Sequence, residues 1–318
     1  MKASAPGKII LFGEHAVVYG RPALAIPVTQ VHADVEVSDS SRAGIWISAP
    51  DVNLHAELNT LPSDHPLASV IHNFLFLFRV TPFPNLEIKI SSNIPVASGL
   101  GSGAAVTVAL TRALSSFLAH PMQDEEVNVF AYEIEKLHHG TPSGIDNTVV
   151  TYAMPVYFVK QFSSPFGRGT RGEGIETFRV GTPFTIVIGD TGISAPTKES
   201  VGDVRKLWEA DKTKWENVFD RVGKIVEEAR KHIESGKWEL LGELMDQNHL
   251  LLQEMTVSSP ELDRLVSAAR SAGALGAKLS GGGRGGNMIA LVNVDLAETV
   301  AKSMLEAGAK RVIITQVS

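Results

Sequence analysis

The chain has 318 residues, 44% of them hydrophobic and 20% charged, with a net charge of −6; that is apolar material for one large or two ordinary cores, and it argues against a polyanion-binding surface. There is no cysteine, which excludes disulfides, thiolate catalysis and cysteine-ligated metals. No stretch approaches the roughly 20 apolar residues of a membrane span, and Pro6 and Gly7 arrive too early for a signal peptide, so a cytoplasmic globular protein with neither nucleic-acid nor membrane partners is expected.

In chain order, the first half alternates β-rich runs with turns: Lys8–Phe12, Ala23–Ile26, Ala33–Val37, Ile45–Ser48 and Leu86–Ile90. Helical spacing then appears over Ala104–Leu118 and Glu125–Leu137. Two further short runs, Thr148–Tyr152 and Val156–Val159, precede a Gly-, Ser- and Arg-rich segment from Ser163 to Gly174 that reads as an exposed connection. The domain boundary is expected near Gly181, dividing the chain into residues 1–180 and 181–318. Beyond it come a strand at Thr185–Gly189 and four helices, Lys198–Ala210, Lys214–Ser235, Trp238–Glu254 and Pro260–Ala272. Ala277–Ser280, a glycine-rich turn, Met288–Val292, a helix at Asp295–Ala307 and Arg311–Val317 close an α+β sandwich.

Four segments carry chemistry. The first, Pro95-Val-Ala-Ser-Gly-Leu-Gly-Ser-Gly-Ala104, joins a strand to an alanine-rich helix. Such a loop aims backbone N–H groups and a helix N-terminus at one point, as phosphate sites do. It lacks the Gly-Lys-Ser/Thr of a Walker loop. Gly99, Gly101 and Ala104 also fit a dinucleotide fingerprint, but the acidic strand end required about 20 residues later is instead the polar turn His120-Pro-Met-Gln-Asp-Glu-Glu126.

The second, Lys278-Leu-Ser-Gly-Gly-Gly-Arg-Gly-Gly286, puts five glycines in six loop positions between two short strands. A backbone without side chains can approach a ligand closely there; a loose hairpin is the plainer alternative. The third, Ala5-Pro-Gly-Lys-Ile-Ile-Leu-Phe-Gly-Glu-His15, begins a strand with Lys8 and ends it in a glycine turn. The fourth, Glu133-Ile-Glu-Lys-Leu-His-His-Gly-Thr-Pro-Ser-Gly-Ile-Asp146, ends a helix and presents an aspartate after a turn, where a cap is the plainer reading. His138 and His139 point to different helix faces and make a poor metal site.

Together these segments resemble the GHMP kinases, whose phosphate loop reads Pro-x-x-x-Gly-Leu-Gly-Ser-Ser-Ala, and the resemblance spans the chain. Within that superfamily the stretch from Ala5 to Gly20 and His139-Gly-Thr-Pro-Ser-Gly-Ile-Asp-Asn147 are similar to the mevalonate kinase family. The resemblance implies an α+β, two-domain fold with the active site in the cleft between a β-rich N-terminal domain and the C-terminal sandwich. It implies ATP and Mg²⁺ as cofactors and transfer of the γ-phosphoryl group to the 5-hydroxyl of mevalonate, giving 5-phosphomevalonate for isoprenoid synthesis.

Position by position, the resemblance makes Asp146 the base or electrostatic guide beside the attacking hydroxyl, with Lys8 next to it. Glu135 and Ser102 would hold Mg²⁺, while His15, His139, Ser143 and Thr197 would line the substrate side. Pro95, Ser98, Gly99, Leu100, Gly101, Ser102, Gly103, Ala104, Gly282 and Gly283 would hold the phosphates. Two positions depart from the family pattern: Gly103 replaces a serine that commonly ligands Mg²⁺, leaving Ser102 or a water for that place, and Arg284 interrupts the C-terminal glycine run, to contact phosphate or to face solvent. Competing readings are a kinase for phosphomevalonate or for another hydroxyl of mevalonate, with Arg21, Lys198 and Arg205 as additional cations, and a non-catalytic nucleotide sensor on the same fold. The helical second half offers a face for a homodimer that the pattern does not locate.

Overall fold

A computed structural model describes residues 1–95, 98–139, 143–159 and 174–318, without the side chain of His139. In chain order the elements are β1 (Lys2–Phe12), β2 (Pro22–Asp39), β3 (Ile45–Ala49), β4 (Leu54–Glu57), α1 (Pro66–Leu77), β5 (Leu86–Ser92), α2 (Ser102–Phe117), α3 (Asp124–His139), α4 (Ile145–Tyr152), β6 (Val156–Val159) and β7 (Gly174–Thr177). They continue with β8 (Phe184–Asp190), α5 (Thr197–Ala210), α6 (Lys212–Glu234), α7 (Leu241–Glu254), α8 (Pro260–Ser271), β9 (Gly276–Ser280), β10 (Asn287–Val292), α9 (Ala297–Glu306) and β11 (Arg311–Val317). Two compact units interleave along the sequence: residues 1–8, 31–96 and 100–153 form one, and residues 9–30, 97–99 and 154–318 the other.

In the first unit, the later part of β2 pairs antiparallel with β5, β5 pairs parallel with β3, and β3 pairs antiparallel with β4. Alternate residues Val35 and Val37 of β2, Ile88 and Ile90 of β5 and Ile45 and Ile47 of β3 are buried, the period of a sheet with one face on a core. Helix α2 buries Ala105, Val108, Ala109, Ala113 and Leu114 and contacts α1, α3, α4 and β5. Its small residues let the neighbouring elements approach closely.

The second unit is built on an antiparallel sheet in the order β11-β8-β10-β9. All residues of β9 and β10 are buried, so both faces are covered; β10 accordingly reads as a continuous apolar run after Asn287, whereas β9 carries Lys278 and Ser280. The outer edge of β9 is closed by side chains. Asp246 and His249 of α7 accept from the backbone N–H of Ala277 (2.9 Å) and Leu279 (3.3 Å), and Arg270 of α8 donates to the Ala277 carbonyl (2.8 Å). Two glycines allow that approach, since a Cβ on Gly276 would lie 2.0 Å from the Gly242 carbonyl oxygen. The first residues of β2 pair with β6, and β6 pairs with β7.

Three differences from the sequence reading have physical causes. The runs 23–26 and 33–37 are parts of one long strand, β2. The run beginning at Thr148 is helical, although Val149, Val150 and Thr151 are β-branched; Thr148 Oγ1 donates to the Gly144 carbonyl (2.7 Å) and Asn147 is tied to Asn128 of α3 (2.7 Å), so packing overrides propensity. Helix α1 went unread despite its signals, Pro66 in the first helical position and buried Val70, Ile71, Phe74 and Leu75. The segment 163–173, expected as an exposed connection, lies outside the described residues.

Candidate active site

In the first unit the charged cluster begins with Lys8, which is buried near the end of that unit's part of β1. Its backbone N–H donates to the Leu100 carbonyl (2.9 Å), so the strand and the glycine loop are joined at the residue that carries the charge. Gly101 is required there on two counts: its φ is +76°, and a Cβ would lie 2.8 Å from Lys8 Cγ. The lysine Nζ reaches Asp146 Oδ1 at 2.9 Å. Asp146 stands in the first turn of α4, which begins after Gly144 (φ +82°), and Ser143 Oγ accepts from the Ile145 N–H in the same turn (3.3 Å).

Glu135 of α3 completes this cluster. Burial, and secondarily the charge of Asp146, push its carboxyl up to about 7, with Lys8 acting in the opposite direction. Its Oε2 is buried and has no hydrogen-bond partner among the described residues. Two carboxylates around one ammonium leave an excess negative charge and an unused carboxylate oxygen, an arrangement that fits a divalent cation. Among the described residues no group of three or more His, Asp or Glu side chains forms a closed metal cage, so a cation here would take its remaining ligands from phosphate and water, as Mg²⁺ commonly does.

The glycine loop leads directly into α2. Gly99 (φ +81°) and Gly101 (φ +76°) bracket the buried Leu100, and Gly101 caps the helix without a side chain. The first N–H groups of α2, at Ser102, Gly103 and Ala104, have no partner within the helix and face a prospective anion with the helix dipole behind them. Gly103 is exposed, and a Cβ there would meet nothing within 4 Å. Pro95 is half-buried where the segment after β5 ends; Val96 and Ala97 lie outside the described residues. Ser98 belongs to the second unit, where its carbonyl accepts from Asn287 Nδ2 (2.5 Å).

The second unit brings His15, Thr197, Gly282 and Gly283 together. His15 has φ +59°, an uncommon conformation for a non-glycine residue, and its Nε2 lies 3.1 Å from the Gly282 carbonyl. That carbonyl can only accept, so Nε2 carries the proton and Nδ1 is left as a buried acceptor with no partner among the described residues. Burial lowers the ring to about 4, so it is neutral at working pH. A Cβ on Gly282 would lie 2.8 Å from Thr197 Oγ1, and one on Gly283 (φ +76°) would lie 1.9 Å from the Val257 carbonyl oxygen. The side chain of His139 lies outside the described residues.

Arg284 has a partner that the sequence reading did not weigh. Its N–H donates to the Val257 carbonyl (2.8 Å), and its Nη1 pairs with Asp203 Oδ2 of α5 (2.6 Å). Lys206 and then Arg284 hold the Asp203 carboxyl at about 2. Arg21, weighed above as a cation for a phosphorylated substrate, is engaged by Glu216 (2.5 Å) and Asp220 (2.8 Å) of α6.

Sequence reasoning missed two elements of this unit. Lys278 is fully buried in β9 and pairs with Glu14, and Asn287 reaches the carbonyl of Ser98. The available signal was a lysine inside an otherwise apolar strand, Gly276-Ala-Lys-Leu-Ser280, since a buried lysine requires a partner.

The GHMP kinases N terminal domain family matches residues 68–154, and the GHMP kinases C terminal family matches residues 225–310. The chain is 37% identical to the mevalonate kinase of Pyrococcus abyssi over 333 residues, which is 99% of this chain and 95% of that one. It is 36% identical to the mevalonate kinase of Pyrococcus furiosus over 334 residues, 99% of this chain and 96% of that one. The crystal structure of L. major mevalonate kinase in complex with R-mevalonate covers 100% of this chain with 96% of its own, with a TM-score of 0.84 at 30% identity.

Proposed function

Because the chain belongs to the mevalonate kinase family of the GHMP kinases, we propose that it transfers the γ-phosphoryl group of ATP to the 5-hydroxyl of (R)-mevalonate, forming 5-phosphomevalonate and ADP on the route to isoprenoids. The observation that carries this reading down to the side chains is the 2.9 Å pair of Lys8 and Asp146 with Glu135 beside it. Phosphoryl transfer demands positioning and charge neutralisation rather than covalent chemistry, and the cluster supplies both.

In this mechanism Asp146 accepts the proton of the 5-hydroxyl as its oxygen attacks the γ-phosphorus and the bond to the ADP oxygen breaks. Lys8 keeps the aspartate in place and offsets negative charge on the transferring group. Glu135 and Ser102 would hold Mg²⁺, whose contribution when bound is to neutralise charge on the β- and γ-phosphates. The N–H groups at the start of α2 and the glycine turns at 99–101 and 282–283 cradle phosphate oxygens. His15, neutral and with Nδ1 free to accept, takes a hydroxyl of the acceptor on the substrate side with His139, Ser143 and Thr197. The engagement of Arg21 by two carboxylates favours this over a phosphorylated acceptor.

We assign residues 1–180 and 181–318 to the N- and C-terminal kinase domains on the family matches at 68–154 and 225–310, although the second compact unit also takes in residues 9–30 and resumes at Met154. No helix among the described residues is long and apolar enough to cross a membrane, and the proposed setting is the cytoplasm.

The test is incubation with ATP, Mg²⁺ and mevalonate, following ADP release and identifying the product by mass and phosphorus NMR, with phosphomevalonate and homoserine in parallel. Stoichiometric 5-phosphomevalonate is expected, with an Asp146→Asn variant losing about 10²–10⁴-fold in kcat. ADP release only with another acceptor would refute the substrate assignment.

A further inference from the structure

The buried pair of Glu14 and Lys278 takes no part in the chemistry above, yet it sits where two glycine turns of the second unit meet. The two side chains are 1% and 0% exposed. Lys278 Nζ donates to Glu14 Oε1 and to the Leu279 carbonyl (2.6 Å), with the Phe12 ring 5.8 Å away. Burial pulls the lysine pKa down, and Glu14 counters it. The seam continues on either side: Ser280 Oγ donates to the Ile10 carbonyl (2.6 Å), and His15 Nε2 donates to the Gly282 carbonyl (3.1 Å). Alternate residues 278, 280 and 282 thus each grip the segment 10–15.

Stability alone does not call for an ion pair here. Apolar residues of similar volume in place of a buried pair are often neutral or stabilising. What a charged, hydrogen-bonded pair adds is direction. Gly13 (φ +99°), Gly281 (φ +90°) and Gly283 (φ +76°) put no side chain of their own between the turns, so the side-chain contacts across the seam come from Glu14, His15, Lys278 and Ser280. His15 follows Glu14 directly, and its bond to Gly282 has one geometry only if the two turns keep a fixed relation.

We propose that Glu14 and Lys278 are positioning residues for the substrate side of the reaction: their ion pair fixes the 13–15 turn against the 281–283 turn and so holds the His15 ring on Gly282. The identity of the ligand at His15 rests on the mevalonate reading; the placement of the ring does not.

Lys278→Met alone would strand a buried carboxylate and destabilise the fold, so the decisive variant is Glu14→Gln/Lys278→Met, which removes both charges at nearly constant volume. It is expected to fold with a Tm close to that of the unmodified chain and to show a KM for mevalonate raised roughly 5- to 10-fold, the loss of about one positioned hydrogen bond, with the KM for ATP nearly unchanged. Nitrogen-15 NMR of the His15 ring provides a readout independent of turnover. In the unmodified chain the ring stays neutral with its proton on Nε2 down to about pH 4, burial outweighing the Gly282 hydrogen bond that favours the charged form. In the double variant the ring loses that bond, its proton is no longer confined to Nε2, and both the tautomer ratio and the titration midpoint change. A folded double variant with an unchanged KM for mevalonate and an unchanged His15 titration overturns the proposal. So does a double variant that fails to fold, because the pair would then be a core contact. If the unmodified chain phosphorylates a different acceptor, the substrate reading fails by itself and the His15 titration still decides the placement of the ring.

Discussion

Lys8 and Glu14 leave the same strand and the turn that follows it, and each meets an opposite charge, Asp146 for the first and Lys278 for the second. The two pairs differ in what surrounds them. Asp146 keeps 30% of its side chain exposed, and a second carboxylate, Glu135, crowds the same lysine. The Glu14–Lys278 pair is sealed from solvent, with one carboxylate countering the burial of one ammonium. The lesson is that a lysine and a carboxylate become reactive or structural according to access and charge balance. An open, over-acidic cluster can accept a proton, a cation or a phosphoryl group; a closed, balanced one can only hold backbone in place.

The largest test of this comparison is Lys8→Met. It leaves Asp146 and Glu135 facing one another without a cation, so kcat for ADP formation should fall by about 10²–10³-fold. The Glu135 carboxyl should also titrate above its present value of about 7, because Lys8 is the group that lowers it. A carboxyl resonance that does not move would break the claim that the three groups form one electrostatic unit.

A smaller effect is expected from Glu135→Gln, which should raise the Mg²⁺ concentration needed for half-maximal rate by at least about tenfold. The pH dependence has a definite sign. The folded-state carboxyl is raised from 4.5 to about 7, so the folded protein binds the extra proton and its stability falls as pH rises between those values. The glutamine variant lacks that slope and should show a higher Tm than the unmodified chain at pH 8 without ligands. In the unmodified chain the apparent Mg²⁺ affinity should rise as pH increases through about 7 and level off above it. A flat profile would remove Glu135 from the cation site.

The smallest effect is expected from Gly103→Ser. The position has open space for a Cβ and an ordinary backbone conformation, so Tm should change by the equivalent of less than about 0.5 kcal/mol. If the family's serine hydroxyl is the missing ligand, the Mg²⁺ requirement should drop by a few-fold, roughly one neutral hydrogen bond's worth. No change would mean that Ser102 or water already fills the place.

Much of the fold was legible in the sequence, because strand and helix periodicities are local. The helices of the second half were read within a few residues of their ends, and both glycine loops fell where the chain turns. The failures were also local in origin. Thr148–Tyr152 carries β-branched residues and was held helical by Asn128 and Gly144, while Pro66 marked a helix whose apolar spacing went unread.

The sequence by itself determined the family, the two glycine loops as candidate phosphate sites and the choice of Lys8, Asp146 and Glu135 as candidates, because those signals reside in residue type and short spacing. Only the tertiary structure decided that Lys8 touches Asp146, that Arg284 spends its charge on Asp203, that His15 is neutral with its proton on Nε2, and that Lys278 is buried against Glu14. Each of these is a relation between residues far apart in the chain. Burial and pairing, which set the charge a side chain carries and the direction it faces, arise only when such residues are brought together.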